Sequence, residues 1–270
     1  MNQSNKIEDS TKSTGMMPVL FVGHGSPMNA IENTEFSRGW RNAAETIEKP
    51  LGILCISAHW ETAGTFITAM QTPSTIHDFG GFPEALFQVE YPAPGNPLLA
   101  HEIASNVKAT HVQNDMNWGL DHGCWSVIRH MYPLADIPVV QLSIDYRKGA
   151  LWHYNLAKEL AFLRNKGILI VGSGNIVHNL RRIDWRNTDG GFDWANNANT
   201  LLKNLIISRD HTSLIEYQKL GLEVEYAIPT PEHFLPLIYI LALQRTTDEL
   251  TLFNDKTVMG SLAMTSVLIG

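Results

Sequence analysis

Three short apolar runs of this sequence each lead to a histidine. Pro-Val-Leu-Phe-Val-Gly leads to His24, Gly-Ile-Leu-Cys-Ile-Ser-Ala leads to His59, and a run that begins at Gly167 leads to His178. Aliphatic and β-branched runs of this length are typical of buried strands, and ligands of open α/β sheets bind outside the carboxyl ends of strands. Because imidazole is the commonest protein ligand of metals, the pattern indicates a metal centre.

Among the other histidines, one is a further candidate ligand and five lie in segments without such a pattern. His233 follows Glu232 in a turn bracketed by prolines, and we count it as a candidate ligand. Imidazoles with at most one carboxylate and no thiolate suit zinc or non-haem iron(II). A structural or surface role is the simpler interpretation of the histidines in helical or polar segments, which are His101, His111, His130, His153 and His211.

The elements that position these residues alternate between strands and helices. Further strands are predicted over residues 65–70, 138–145, 250–253 and 261–269, and helices over 29–49, 97–110, 150–166, 194–208, 213–220 and 235–244. Such alternation predicts a single-domain three-layer α/β/α sandwich with a mostly parallel or mixed central sheet. We assign residues 17–270 to this domain and 1–16, which are polar, to a mobile N-terminal tail.

Composition limits the classes of partner. The chain has 270 residues, 20 Lys and Arg against 27 Asp and Glu, and a formal net charge of −7. This balance argues against nucleic acid and anionic membranes as partners, and we find no apolar stretch long enough to cross a bilayer. The two cysteines and the absence of an apolar signal-peptide core indicate the cytoplasm.

A long loop over residues 73–94, rich in proline, glycine and aromatic residues, is predicted to form a pocket wall. Loops of this length in compact domains are usually functional or disordered, and the aromatic residues argue against disorder. His77 and Asp78 are candidates to bind polar groups of a substrate, and Phe79 and Trp118 are candidates to pack against its ring. For each aromatic residue alone, ordinary core packing is an equally good interpretation.

Seven motifs, in this order along the chain, carry a resemblance to a known family. They are Gly23-His24-Gly25-Ser26-Pro27-Met28, Ser57-Ala58-His59-Trp60, Ile76-His77-Asp78-Phe79-Gly80-Gly81-Phe82-Pro83, Tyr91-Pro92-Ala93-Pro94-Gly95, Asp121-His122-Gly123, Gly174-Asn175-Ile176-Val177-His178-Asn179 and Pro229-Thr230-Pro231-Glu232-His233. Together they resemble the 4,5-DOPA extradiol dioxygenase family, which belongs to the class III extradiol ring-cleaving dioxygenases and is related to the protocatechuate 4,5-dioxygenase catalytic subunit. The resemblance extends from Pro18 to Gly270.

The resemblance implies a mononuclear non-haem iron(II), with zinc also found in its place. His24 and His59 match metal ligands of the family, and His233 matches a further ligand, for which Glu232 is a less favoured substitute. His178 matches a position read as a zinc ligand in one branch and as an acid/base histidine in the other, so both roles stay open. His122 matches a histidine close to the substrate hydroxyl.

The expected activity is therefore extradiol opening of a DOPA-like catechol by O2, giving a muconic semialdehyde-type product. Both catechol oxygens and O2 need open metal positions, and a nearby histidine must accept and donate protons. Two alternatives remain: a zinc hydrolase that activates water with the same imidazoles, and a non-catalytic metal-binding protein. The sequence leaves the oligomeric state open between a monomer and a small homo-oligomer.

Overall fold

The computed structural model describes residues 15–186 and 188–270, so the predicted tail over 1–16 lies outside the described residues except for Gly15 and Met16. The strands of the described residues, in chain order, are β1 (Val19–Gly23), β2 (Gly52–Ser57), β3 (Glu61–Thr62), β4 (Thr65–Thr68), β5 (Ser74–Thr75), β6 (Val112–Asp115), β7 (Gly119–Leu120), β8 (Val139–Gln141), β9 (Ile144–Asp145), β10 (Ile168–Gly174), β11 (Leu250–Phe253), β12 (Thr257–Val258), β13 (Leu262–Ala263) and β14 (Ser266–Ile269).

The central sheet is mixed and has six strands in the order β11-β14-β1-β10-β2-β8. Strands β1, β10, β2 and β8 are parallel, whereas β14 runs antiparallel to both β1 and β11. The parallel register pairs Gly23 with Gly174 and Ser57 with Ser173. The three strands that precede the histidines are therefore neighbours, and their carboxyl ends meet at one edge.

The helices of the described residues cover both faces of this sheet. They are α1 (Glu35–Glu45), α2 (Glu84–Phe87), α3 (Pro97–Asn106), α4 (His122–Met131), α5 (Ala150–Lys158), α6 (Asp193–Ile207), α7 (His211–Ile215), α8 (Leu222–Ala227) and α9 (Leu235–Ala242). Short 3-10 helices cover Pro27–Ala30, Ala161–Lys166, Leu180–Arg182 and Tyr217–Lys219. No helix in this part of the chain has both the length and the apolar character needed to cross a membrane.

Two hydrophobic clusters lie on opposite faces of the sheet. Side chains alternate along a strand, and in β1 Val19 and Phe21 join one cluster while Leu20 and Val22 join the other. The first cluster packs against α5, α6 and α9, and the second against α1 and α4. The predicted α/β fold with a mixed central sheet is confirmed.

The predicted helix over residues 29–49 was wrong at its amino end. Residues Pro27–Ala30 form a 3-10 helix, and α1 begins only at Glu35. The Asn29 amide donates to the His24 carbonyl at 3.1 Å, and Thr34 accepts from the Ser37 N–H at 3.1 Å as the N-cap of α1. Side-chain hydrogen bonds of this kind compete with a continuous helix.

The predicted helix over residues 150–166 also divides. The α-helix α5 ends at Lys158, and a 3-10 helix continues to Lys166 before Gly167, whose φ is 72°. The 3-10 turns place Arg164 in the core, where its guanidinium donates to the Met17 carbonyl and to Asp248, each at 2.7 Å. The sequence pattern also gave no signal for α8 or β6.

Candidate metal centre and active site

The predicted histidines lie together at the carboxyl ends of β1, β2 and β10. The His24 N–H donates to the Gly174 carbonyl at 3.1 Å, and the Ala58 N–H donates to the Ser173 carbonyl at 3.0 Å, so both strand ends are tied to β10. His24, His59, His122, His178 and His233 all line one cavity of about 300 Å³.

The nitrogens of His24, His59 and His233 converge on one point. The Nε2 atoms of His24 and His59 lie 3.1 Å apart, and one ring nitrogen of each of the three residues lies within 4.8 Å of the others. The Nε2 atom of His233 is buried and has no hydrogen-bond partner among the described residues. A buried polar atom without a partner is costly, and a metal ion bound by these nitrogens removes that cost.

The hydrogen-bond partner of His24 Nδ1, the Ser173 hydroxyl, fixes the tautomer of the His24 ring. The Ser173 hydroxyl donates to the Gly123 carbonyl at 2.6 Å, so it accepts at 3.0 Å from the Nδ1–H of His24. With the proton on Nδ1, the lone pair of Nε2 points at the convergence point. An acceptor on the outer nitrogen is the usual support of a metal-binding histidine.

His233 is supported in the same way by its neighbour. Glu232 accepts from His233 Nδ1 at 3.1 Å and from the Thr230 hydroxyl at 2.8 Å. Gly174 allows this turn to approach the sheet, because a Cβ at Gly174 would lie 2.1 Å from the His233 carbonyl oxygen. Glu232 thus acts as the acceptor behind His233, an arrangement that favours His233 over Glu232 as the ligand.

His178 lies beside this group of three nitrogens. Its ring stacks on that of His233 with centroids 3.5 Å apart and planes 9° apart. It forms a second possible metal-binding group with Glu232 and His233, but not with His24 and His59. The position is compatible with either of its predicted roles.

His122 is the first residue of α4, whose N-cap is Asp121. Its N–H donates to Asp78 Oδ1 at 2.8 Å and its Nδ1–H donates to Asp78 Oδ2 at 2.9 Å. Asp121 is fully buried and accepts from the Ser57 hydroxyl at 2.6 Å and the Gln141 amide at 2.7 Å. Its contacts therefore connect the start of α4 to the end of β2.

Burial keeps four of the imidazoles neutral, those of His24, His59, His178 and His233. It lowers the pKa of His59 to about 3 and that of His178 to about 4, and it holds the pKa of His24 and His233 well below the usual value. Burial acts to raise the pKa of Asp78, but its hydrogen bonds with His122 and its charge interactions with His122 and His59 together leave the pKa below its usual value. Neutral imidazole is the form that binds metal, so the cluster suits a cation at neutral pH.

The outer wall of the cavity is apolar. It is formed by Phe79, Phe82, Leu180, Ile183, Trp185 and Met259. Phe79 was predicted to lie here, but the sequence-based predictions include none of Leu180, Ile183 and Trp185. Their apolar character, within an otherwise polar segment, is the one signal that the sequence offered.

Two predicted substrate-binding residues are not brought to the cavity. The Trp118 ring stacks on Trp60 with centroids 5.6 Å apart and planes 3° apart. His77 lies within hydrogen-bond distance of the Val89 carbonyl, 3.0 Å from its Nε2. Neither residue lines the cavity, so direct substrate contact by either one has no geometric support. The remaining predicted pair, Asp78 and Phe79, does line it.

Comparison with known proteins gives consistent results. Residues 18–258 match the family model described as the catalytic LigB subunit of aromatic ring-opening dioxygenase. An Escherichia coli K12 protein named 4,5-DOPA dioxygenase extradiol is 44% identical over 98% of both chains, and a Beta vulgaris protein of that name is 37% identical over 85% of this chain and 86% of its own.

A crystal structure of an uncharacterized protein from Escherichia coli K12 superposes with a TM-score of 0.82 and 40% identity, covering 94% of this chain and 100% of that one. The resemblance inferred from seven short motifs is confirmed over the length of the domain. Aromatic ring opening is the activity by which that family is described, and this favours an extradiol dioxygenase over the zinc hydrolase and the non-catalytic protein. The chain belongs to the LigB family of aromatic ring-opening dioxygenases, and it is an extradiol dioxygenase.

Proposed function

We propose that this enzyme opens a DOPA-like catechol with O2 at an iron(II) ion held by His24, His59 and His233, and releases a muconic semialdehyde-type product. Two observations carry this proposal. The buried Nε2 of His233 has no partner among the described residues, and one ring nitrogen of His233 lies within 4.8 Å of ring nitrogens of His24 and His59, whose Nε2 atoms are 3.1 Å apart. DOPA enters the proposal through the printed name of the relatives from Escherichia coli and Beta vulgaris.

The donor set fits a divalent metal of intermediate softness. Three neutral imidazoles suit iron(II) and also zinc(II). We expect zinc(II) to bind to the same three ligands in some purified samples. An iron(II) ion held by His24, His59 and His233 would supply open coordination positions for the two catechol oxygens and for O2, and would allow electron transfer between them. The protein supplies three ligands and leaves the side of the cavity lined by Phe79 and Phe82 to the substrate.

Proton transfer is assigned to His122 and His178, which line the cavity close to the three ligands. A catechol must lose its hydroxyl protons when it chelates a metal, and a proton must be returned during ring opening. Burial lowers the pKa of His178 to about 4, so at neutral pH its imidazole is unprotonated, which is the form that a proton acceptor needs. His178 is proposed to have a dual role: a ligand when zinc is bound without substrate, and a proton carrier during turnover with iron(II).

The setting that we propose is the cytoplasm. Cys55 and Cys124 are both buried and free in the described structure, as suits a reducing compartment. The proposed partners are the catechol and O2, and the oligomeric state is proposed to be a monomer or a small homo-oligomer.

The test is anaerobic reconstitution of the metal-free protein with iron(II), followed by a panel of catechols that includes DOPA. Oxygen uptake and the yellow absorbance of semialdehyde products are measured together, and product mass identifies extradiol cleavage. We expect one O2 to be consumed per ring opened. His24→Ala is the negative control, and zinc-loaded protein tests whether turnover needs iron.

Oxygen uptake without a ring-opened product from any catechol would contradict the proposed reaction. Equal turnover by the zinc-loaded protein would contradict the choice of iron. A semialdehyde formed from other catechols but not from DOPA would keep the reaction and change the substrate class.

A further inference from the structure

One carboxylate, that of Asp78, contacts two of the histidines of the site. Oδ1 accepts from the His122 N–H at 2.8 Å and Oδ2 accepts from His122 Nδ1 at 2.9 Å. The same Oδ2 lies 3.4 Å from Nδ1 of His59. The Asp78 side chain is only 16% exposed, so water competes little for these contacts.

We propose that Asp78 is a positioning residue, which fixes the tautomer and the orientation of His122 and supports His59 from behind. The proposal rests on the proposed function, because it concerns the same reaction. It replaces the sequence-based expectation that Asp78 binds a polar group of the substrate.

The two hydrogen bonds to His122 fix both the position and the orientation of its ring. The backbone bond fixes the first residue of α4 relative to the carboxylate, and the ring bond fixes the rotation of the imidazole. Because a carboxylate is only an acceptor, His122 must carry its proton on Nδ1. The ring packs against His59 at 3.9 Å and Phe79 at 5.5 Å between centroids.

This tautomer determines the state of Nε2, the ring nitrogen of His122 that does not contact Asp78. In the neutral imidazole Nε2 of His122 therefore carries no proton, and no group of the described residues hydrogen-bonds to it. It therefore holds a lone pair that can accept a proton from a substrate hydroxyl in the cavity. A carboxylate that holds the tautomer of a catalytic histidine can be essential without entering the chemistry itself.

Asparagine at position 78 tests this relationship with the least change in shape. If the amide oxygen keeps the backbone bond, its NH₂ group faces Nδ1 of His122 and can only donate to it. The imidazole must then move its proton to Nε2, where it can no longer accept one. The expected effect is a loss of turnover in a protein whose fold and substrate affinity are retained.

The first experiment reads the tautomer directly and does not depend on turnover. Long-range ¹H–¹⁵N NMR spectra of the zinc-loaded protein report which ring nitrogen of His122 is protonated, and the His122→Gln variant identifies its signals. We expect Nδ1–H in the wild type and Nε2–H in Asp78→Asn. A wild-type spectrum with the proton on Nε2 overturns the proposal, whether or not any catechol is opened.

The second experiment is a double-variant cycle of Asp78→Asn and His122→Gln at saturating iron(II). Each single variant should lower kcat by about 10²–10⁴-fold with little change in KM, and the double variant should be no slower than His122→Gln alone. Additive losses, or a rise in KM with kcat unchanged, would show that Asp78 acts on the substrate and not through His122.

The matched control is Asp210→Asn. Asp210 also accepts from a backbone N–H and a side chain, those of Ser213 at 3.0 and 2.6 Å, but it caps α7 outside the cavity lining. We expect its kcat and KM to equal those of the wild type. Metal affinity of Asp78→Asn should fall by about 10–100-fold, as for other residues that support a ligand, and unchanged affinity would overturn the part of the proposal that concerns His59.

Discussion

The rings of His178 and His233 stack face to face, with centroids 3.5 Å apart and planes 9° apart. Their backbones are held separately: the His178 N–H donates to the Ala227 carbonyl at 2.8 Å, and the His233 carbonyl accepts from the Asn175 N–H at 2.9 Å. Burial lowers the pKa of both rings, so two neutral imidazoles are in contact. A proposed metal ligand and a proposed proton carrier are therefore direct neighbours.

The first prediction concerns metal binding by His24 and His59. His24→Ala or His59→Ala removes one of the converging Nε2 atoms, and loss of a ligand costs more affinity than the roughly 10–100-fold lost with a supporting residue. We expect either variant to lose its metal on dialysis while its circular dichroism spectrum is retained. Metal content per chain is the measurement.

The control for this prediction is His101→Ala, since His101 is exposed on α3 and away from the cavity lining. It should retain the same metal content as the wild type. Stoichiometric metal with unchanged affinity in His24→Ala or His59→Ala would remove that residue from the ligand set.

Position along a strand was enough to predict that three of the candidate histidines lie together. The runs before His24, His59 and His178 form neighbouring parallel strands, so their ends had to meet at one edge of the sheet. It did not predict that Asp78 pairs with His122, because the two are 44 residues apart and their contact depends on the path of the loop.

The positions of aromatic residues were equally hard to predict from the sequence. Trp118 and Trp185 are equally large and apolar in the sequence, yet one stacks on Trp60 and the other lines the cavity. Helix breaks were likewise hidden, because the 3-10 turns that bury Arg164 beside Asp248 involve partners 84 residues apart. Periodicity predicts which face of an element is apolar, but not which distant side chain covers it.

The second prediction concerns the cavity wall. Trp185 lines the cavity and is 72% exposed, so a substrate substituent can cover apolar area of its indole that now faces water. Burial of apolar surface contributes about 25 cal/mol per Å². Trp185→Ala should therefore raise KM several-fold for catechols with apolar ring substituents and leave kcat nearly unchanged.

Unsubstituted catechol is the internal control, because it has no substituent to reach Trp185. Its KM should be the same for Trp185→Ala and the wild type. A uniform rise of KM across the whole panel would instead indicate that Trp185 shapes the site as a whole.

The third prediction concerns stability at low pH and uses His153, which lies outside the cavity lining. This residue is fully buried with its Nδ1 2.9 Å from the Tyr239 hydroxyl, and burial lowers its pKa from 6.5 to about 4. The unfolded chain takes up a proton below pH 6.5, whereas the folded protein does not until about pH 4. The contribution to stability is therefore complete above pH 6.5 and is lost as the pH falls towards 4.

The magnitude follows from the shift of the pKa. One unit corresponds to about 1.4 kcal/mol, so this residue lowers the free energy of unfolding by about 3 kcal/mol between pH 7 and pH 4. Urea unfolding across this range is the measurement. His153→Asn should be less stable at pH 7 but should show a smaller decrease with pH, and an identical decrease in both proteins would contradict the assignment.

The last prediction separates the two roles of His178. His178→Gln removes a group that can carry a proton, and it leaves His24, His59 and His233 in place. If His178 acts in proton transfer when iron(II) is bound, the variant should bind iron(II) and catechol and yet turn over about 10²–10⁴-fold more slowly. If His178 is chiefly a ligand, the main effect should be a lower affinity for iron(II), and saturating iron(II) should restore turnover.

The dual role makes a distinct prediction for zinc. In the proposed scheme His178 binds zinc in the absence of substrate. His178→Gln should therefore lower the affinity for zinc without catechol more than the affinity for iron(II) with catechol present. Titration of each metal into the metal-free variant, with and without catechol, gives the four affinities required. Because the rings of His178 and the proposed ligand His233 stack with centroids 3.5 Å apart, the variant is expected to lose a small amount of affinity for both metals. The loss of zinc affinity must exceed this common loss. Equal losses for zinc and iron(II), with turnover restored at saturating iron(II), would leave His178 a ligand only.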